Sequence, residues 1–314
     1  GHIYYIKHKN RGILFMKKWL SVMITVLLLF SLAACGQKEE KANDTKKETT
    51  TKEVFKIGAI PDQNAADLEK GMTAVANYLS EKTGMKVEFV PSVDYAALVT
   101  GFQRGEIHMA WFGGLTSVQA RNLVPDAESI VQRPRDAEFH SVFITQASEN
   151  ITKLEDLKGK SFTFGSESST SGHLMPRYYL SEAGIDANKD FDGKPNFSGS
   201  HDTTYKLIES GAFKAGALNE AVWEAAVKEG KVDTNKVKVF YTTPAYYDYN
   251  WTINSNVEEV FGKGTKKKVK DALLSITGEQ KEIADLFQTD SFVETKNDNY
   301  KKIEKVAKEL QIIK

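Results

Sequence analysis

The sequence predicts an α/β protein of two lobes, each a doubly wound sheet, joined by two extended crossover strands. Two observations predict this. From Val54 to Phe112, strand-like and helix-like segments alternate as strand–helix–strand–helix–strand, the pattern of a parallel sheet wound by right-handed crossovers. The alternation resumes after Ser148, and no sequence repeat relates the two stretches.

Each element follows from its residues. Val54 to Ile60 alternates into a first strand, and Pro61-Asp62-Gln63-Asn64 makes a turn with capping chemistry. Ala65 to Lys82 carries Leu68, Met72, Val75 and Leu79 on one helical stripe, which Thr83-Gly84 ends. Lys86 to Val90 is the second strand. Pro91 punctuates it, and Asp94 caps a helix running to Arg104, with Gly105 as stop signal. Ile107 to Phe112 is the third strand and ends in Gly113-Gly114. In the second stretch, Leu154 to Lys160 forms a short helix and turn and Ser161 to Phe164 a strand. A polar loop from Gly165 to Ser171 opens a helix through about Ala183. His201 to Ser210 reads as helix, Phe213 to Leu218 as strand, Asn219 to Glu229 as helix and Lys236 to Tyr241 as strand. Beyond Trp251 the periodicity is helical, over Lys266 to Ile276, Glu279 to Phe287 and Asn299 to Leu310.

The chain is expected to cross between lobes near Phe139–Gln146 and again near Pro244–Ile253. Residues 54–143 with 250–314 then form one lobe, and 144–249 the other. Two lobes on two crossovers make a hinged clamshell. Its ligand belongs beyond the carboxyl ends of the strands, where loops and helix N-termini converge.

Residues 1–53 stand outside this fold. Met16-Lys17-Lys18 is a short basic start, and Trp19 to Phe30 is an apolar run broken only by Ser21 and Thr25. Leu32-Ala33-Ala34-Cys35 follows, which completes the plan of an export signal, and the run is short for a bilayer span. An uncleaved anchor or a buried helix is the competing reading. Leu-Ala-Ala-Cys resembles the lipobox of bacterial lipoproteins, in which the cysteine is lipidated and becomes the first residue. Cys35 is therefore the expected membrane anchor of an extracytoplasmic protein. Residues 1–34 are then an upstream extension plus lipoprotein signal peptide, with Met16 a plausible start. Residues 35–53, dominated by Lys, Glu, Thr, Asp and Asn, read as a disordered tether.

Cys35 is the single cysteine, which excludes an internal disulfide framework and a cysteine-based zinc site. The chain has 42 basic and 42 acidic residues. Five basic and no acidic residues fall in 1–34, so the remainder has 37 against 42, a net charge of −5. That balance offers no general attraction to nucleic acid or to an anionic membrane surface. If the protein holds an anion, a local site does so.

The segment Phe164-Gly165-Ser166-Glu167-Ser168-Ser169-Thr170-Ser171-Gly172-His173 places four consecutive hydroxyl residues between a strand and a helix. A helix N-terminus offers free backbone N–H groups and a partial positive charge, and hydroxyls add donors without charge, so a tetrahedral oxyanion can be held there. An ordinary N-cap in a polar loop explains the same residues.

Ser-Ser-Thr-Ser-Gly-x-Leu-x-Pro after a strand, followed about 30 residues on by His201-Asp202, resembles the phosphonate/phosphite-type ABC substrate-binding proteins. Asp94-Tyr95-x-Ala97-Leu98 and Ala110-Trp111-Phe112-Gly113 resemble the same group, and the likeness covers most of Val54 to Leu310. The resemblance implies the type II periplasmic-binding-protein fold. It also implies that Ser169, Thr170 and Ser171 hold the anion, that Tyr95 reaches across the cleft, and that His201 hydrogen-bonds the ligand. Two departures fall where a ligand's substituent would lie. Phe139 stands where the family often has tyrosine, and the second crossover, Pro244-Ala245-Tyr246-Tyr247-Asp248-Tyr249-Asn250-Trp251, is tyrosine-rich. The Trp-Phe-Gly-Gly and tyrosine-rich runs are similar to a subgroup proposed to carry selenate-like oxyanions.

A sulfate- or selenate-type dianion carries no proton and suits a site of donors alone. A phosphite or phosphonate monoanion keeps a proton and gains from an acceptor carboxylate, for which Asp248 is the candidate; a turn residue capping a bend is the other reading of Asp248. Phe112 is a candidate cleft wall or core residue. His173 is a candidate cleft residue, His140 a candidate substitute for the hydroxyl missing at Phe139, and His108 a packing residue.

The expected function is a lipid-anchored binding protein that delivers a small oxyanion to the permease and ATPase of an ABC importer. It is expected to work as a monomer, without cofactor, metal or nucleic acid. The alternatives are a selenate- or sulfate-type binding protein, a receptor presenting its ligand to a membrane sensor, and an exported enzyme on this fold. No Gly-x-Ser-x-Gly elbow, His-Glu-x-x-His or Walker A run supports the last.

Overall fold

The computed structural model describes residues 53–313; the expected signal peptide, Cys35 and nearly all of the expected tether lie outside the described residues. Strand β1 (Phe55–Ala59) has Phe55, Ile57 and Ala59 buried, and helix α1 (Ala65–Thr83) packs over it with Leu68, Met72, Val75 and Leu79 inward. The cap of α1 is Asn64, whose Oδ1 accepts from the N–H groups of Ala66 and Asp67, and Gly84 ends the helix in the left-handed region. Strand β2 (Val87–Phe89) leads to helix α2 (Tyr95–Gln103), capped by Asp94 through the Ala97 N–H at 2.7 Å. Strand β3 (Met109–Phe112), helix α3 (Gly114–Leu123) and strand β4 (Glu128–Gln132) follow.

The chain then passes to strand β5 (Ser141–Gln146), β6 (Phe162–Phe164), a π turn (Thr170–Leu174) running into helix α4 (Met175–Glu182), and β7 (Asn196–Phe197). Helix α5 (His201–Glu209), β8 (Ala215–Asn219), helix α6 (Glu220–Lys228) and β9 (Val237–Thr242) complete this half. The return strand β10 (Asn250–Ile253) is followed by helices α7 (Val257–Phe261), α8 (Thr265–Leu274) and α9 (Lys281–Phe287), strand β11 (Val293–Glu294) and helix α10 (Lys301–Glu309).

The strands form two sheets, ordered β11–β4–β10–β3–β1–β2 and β7–β6–β8–β5–β9. The pairs β1–β2, β1–β3, β6–β7 and β6–β8 are parallel, as right-handed strand–helix–strand units require. Beside them, β10 runs antiparallel to β3 and β4, and β5 antiparallel to β8 and β9. A strand arriving from the other sheet enters from the cleft end, so it points against the strands already there. The parallel sheets read from the alternation are thus mixed. Helix α3 and strand β4 were not anticipated, because Gly113-Gly114 reads as a stop and α3 has no capping side chain of its own. Strand β5 belongs entirely to the second sheet, so the first passage lies before Ser141 rather than at residue 143.

The two passages run side by side. Phe139 and Tyr246 exchange backbone hydrogen bonds at 2.8 and 3.0 Å, and the Asp248 N–H donates to Asp136 O at 3.0 Å. Among the described residues no helix is long and apolar enough to cross a membrane.

Candidate functional site

The residues singled out in the sequence come from the end of β3 (Phe112), the loop after β6 (Ser169, Thr170 and Ser171), the starts of α2 and α5 (Tyr95 and His201) and the two passages (Phe139 and Asp248). Burial is their common property, for Tyr95, Ser169, Thr170, Ser171, His201 and Asp248 are each 2% exposed or less.

The hydroxyl run is a helix start of unusual pitch. The Leu174 N–H reaches back to Ser169 O and the Met175 N–H to Thr170 O, five residues apart, which makes the first turn a π turn. Ser169 caps it, its Oγ accepting from Gly172 N–H at 2.8 Å. The geometry leaves the N–H groups of Thr170 and Ser171 without an acceptor inside the helix. Gly172 is needed for the approach of His201: a Cβ there would sit 2.8 Å from Ser169 Oγ and 3.2 Å from His201 Cε1.

His201 opens α5. Its Nδ1 accepts from Asn219 N–H at 3.3 Å, so the ring proton sits on Nε2, which lies 3.4 Å from Ser171 Oγ and 3.3 Å from Tyr249 Oη. Burial drives the His201 pKa down to about 4, and the ring is a neutral donor at any ordinary pH.

Thr170 and Asp248 meet the N-terminus of α3. Thr170 Oγ1 accepts from Leu115 N–H at 2.9 Å, and Asp248 Oδ1 accepts from Gly114 N–H at 3.0 Å. Gly113 makes this contact possible, since a Cβ on it would lie 3.0 Å from Thr170 Oγ1 and 3.3 Å from Asp248 Oδ1. Gly113→Ala is therefore expected to obstruct the meeting of the halves at about 1–3 kcal/mol. Ligand affinity should fall about tenfold or more while the melting temperature of the unliganded protein barely changes. Calorimetry beside a thermal melt checks this.

Three buried polar atoms in this region have no hydrogen-bond partner among the described residues: Tyr95 Oη, Asp248 Oδ2 and Asp62 Oδ1. Burial raises Asp248 to about 8, against the pull of the Gly114 N–H, and raises Asp62 to about 6, against its hydrogen bond from Tyr249. Neither carboxylate has a cationic partner among the described residues. The nearby cation, Arg133, is bound to Asp136 through Nε and Nη2 at 2.8 and 3.0 Å and donates to Phe287 O. Its guanidinium is caged by the rings of Trp111, Phe139 and Tyr249, with centroids 5.4, 5.6 and 5.1 Å away. The region thus combines neutral donors, two acceptor carboxylates and a cation held behind an aromatic wall.

Some expectations fall elsewhere. The Phe112 ring packs edge-on against Phe102 of α2, so Phe112 serves the region by placing Gly113. Phe139 is a wall residue against Tyr246 and Tyr249. His173 belongs to the second half's interior: it lies 2.7 Å from Glu167 O, accepts from Arg177 and packs on Phe164 and Phe197. His140 is held by Thr243 O at 2.7 Å, and His108 accepts from the Lys56 N–H and packs on Phe55 and Phe261. The sequence reading missed Asp62, Asn219 and Arg133, and also Ser141, whose Oγ donates to Ser171 O at 2.7 Å. Pro61-Asp62 at a strand end was the available signal, since ligand sites in open α/β sheets gather there.

Two mixed α/β sheets, linked by paired passages and closing on a polar cleft, define a substrate-binding protein of the kind that serves ABC transporters. The chain belongs to the family described as ABC transporter, phosphonate, periplasmic substrate-binding protein, whose model matches residues 57–300. It is 42% identical over 271 residues, 83% of this chain and 91% of the relative, to a probable ABC transporter phosphite binding protein, PhnD1, of Prochlorococcus marinus. The solved structure of PhnD1 in complex with methylphosphonate superposes with a TM-score of 0.79 at 41% identity, covering 83% of this chain and 99% of that one. A phosphate-import protein of Mycolicibacterium smegmatis is 30% identical over 211 residues, 62% of this chain and 66% of the relative. The fold is that of the type II periplasmic binding proteins, and the protein is a phosphonate/phosphite-type ABC substrate-binding protein of the extracytoplasmic side, not an enzyme.

Proposed function

We propose that this protein captures a small tetrahedral phosphorus oxyanion that still carries a proton, such as phosphite or methylphosphonate, and delivers it to an ABC permease and ATPase. One observation carries the reading: Asp248 Oδ2 is a buried, unpartnered carboxylate oxygen beside a set of neutral donors. Once ionised, this carboxyl, which burial raises to about 8, repels a fully deprotonated dianion, whereas a P–OH group donates to it. The P. marinus relative, named for phosphite and solved with methylphosphonate, supports the same choice.

The anion lands first on the amides of Thr170 and Ser171 and the hydroxyl of Ser169. The two lobes, one built on each sheet, then close. Closure brings Tyr95 Oη, the α3 start and Asp248 to the ligand, with His201 Nε2–H as a further donor, and removes water. Neutral donors in a desolvated cleft bind strongly, because each left unpaired costs about 1–3 kcal/mol. Phe139 and Tyr246 limit the fourth substituent to a small group. Titration calorimetry with phosphite, methylphosphonate, phosphate, sulfate and selenate tests the choice. Tight binding of a phosphorus oxyanion supports it, and tight binding of sulfate or selenate alone sinks it in favour of a donor-only site.

The chain is proposed to reach its transporter as a monomer on a lipid anchor at Cys35. Cys35→Ser is expected to leave the protein unlabelled by radioactive palmitate and released into the medium or periplasm. Unchanged membrane retention and labelling would remove the anchor assignment.

A further inference from the structure

Asp62 sits in the turn after β1, 3% exposed, and uses its oxygens on parts of the chain far from it in sequence. Its main-chain oxygen accepts the His201 N–H, at the first residue of α5, at 2.9 Å. Its Oδ2 accepts the Tyr249 hydroxyl at 2.7 Å. Because a carboxylate only accepts, Tyr249 must donate to it. The Tyr249 oxygen is then left as acceptor for Asn219 Nδ2 at 2.9 Å and for His201 Nε2–H at 3.3 Å. Asn219 closes the circle, giving its backbone N–H to His201 Nδ1. One first-sheet residue therefore holds the start of α5 and the second passage together and, through Tyr249, the end of β8. Its remaining oxygen, Oδ1, is buried without a partner among the described residues.

We propose that Asp62 is a positioning residue for closure: it clasps the second lobe through α5 and Tyr249, and so fixes the His201 ring in the closed cleft. This rests on the reading that the cleft binds an oxyanion, and adds to it a residue that acts through His201 and Tyr249. The clasp forms only when the lobes meet, so it governs how long the ligand stays rather than how fast it arrives.

Closure also places the Asp62 carboxylate among Tyr249, Arg133, Asp202, Tyr95 and the start of α5. Burial raises it to about 6, against an ordinary value of 3.8 in the open, solvated state. The closed state therefore binds the proton more tightly. Its advantage is complete below about pH 4 and is lost as pH rises to about 6.

Stopped-flow and calorimetry with methylphosphonate on wild type, Asp62→Ala and Asp62→Asn test this. For Asp62→Ala the expected result is a dissociation rate at least tenfold higher, an association rate within about twofold of wild type, and an unchanged melting temperature for the unliganded protein. Asp62→Asn keeps an acceptor for Tyr249 and should recover most of the residence time, while making the fall in affinity between pH 4 and 6 shallower. Wild-type dissociation from Asp62→Ala, or a pH profile that Asp62→Asn leaves intact, overturns the proposal. Small-angle scattering with saturating methylphosphonate reads closure directly. Asp62→Ala should then keep the larger radius of gyration, and equal radii count against the clasp, whereas a wild type whose radius and heat signal do not respond to methylphosphonate would sink the ligand assignment instead.

Discussion

Asp248→Asn is expected to weaken methylphosphonate binding at pH 7 by about 10- to 100-fold while improving sulfate relative to it. The weakening follows from losing an acceptor of charge-assisted hydrogen bonds, worth about 1.5–3 kcal/mol. The change in preference follows from removing a carboxyl that shares one proton with a protonated ligand and, once ionised, repels a dianion. The variant keeps a carbonyl oxygen for the Gly114 N–H, so the α3 start stays capped. A pH effect accompanies this. The Asp248 carboxyl is raised to about 8 in the closed cleft, chiefly by burial, from an ordinary 3.8. The closed state therefore holds a proton that the open state releases, and its advantage is lost as pH rises through that interval to about 8. Wild-type affinity should accordingly decline as pH rises to about 8, as ligand and carboxylate come to share no proton. Asp248→Asn should flatten this part of the profile. Calorimetry from pH 6 to 9 with both ligands reads the two effects, and an unchanged selectivity ratio in Asp248→Asn would mean that the carboxylate does not face the anion.

Thr170→Val should also weaken the ligand strongly, by about 5- to 100-fold, with the fold intact. Valine matches the shape but offers no acceptor for the Leu115 N–H, and a buried N–H left unpaired costs about 1–3 kcal/mol. The loss falls on the closed form, where Thr170 and Leu115 meet, so the dissociation rate should carry most of it. Thr170→Ser retains the oxygen and is expected to stay close to wild type. Equal affinities for all three proteins, measured with methylphosphonate, would take Thr170 out of both closure and binding.

The difference between what was and was not legible is physical. Helix starts at Asn64 and Asp94 were readable because a cap is a local hydrogen bond, spanning two or three residues. The buried stripe of α1 was readable because packing repeats every turn. The hydroxyl run was readable as a helix start, though not as a π turn, since nothing in a polar loop announces its pitch. Helix α3 was missed because its first N–H groups are satisfied by Thr170 and Asp248, 55 and 134 residues away in sequence. Phe112 was placed at the right strand end, but whether a strand-end ring faces cleft or core depends on the helix packed beside it, here α2.

The sequence by itself determined the two α/β units, the helix starts, the hydroxyl run, and the resemblance that identified the family. These rest on local periodicity and capping, which a chain carries wherever it folds. Only the tertiary structure decided which donors and acceptors face one another. Tyr249 and Asp62 are 187 residues apart and meet at 2.7 Å, and a turn aspartate becomes a buried carboxylate only when the second half covers it. Burial, not residue type, raises the carboxyls of Asp62 and Asp248 and lowers the imidazole of His201, because desolvation penalises charge according to what surrounds it.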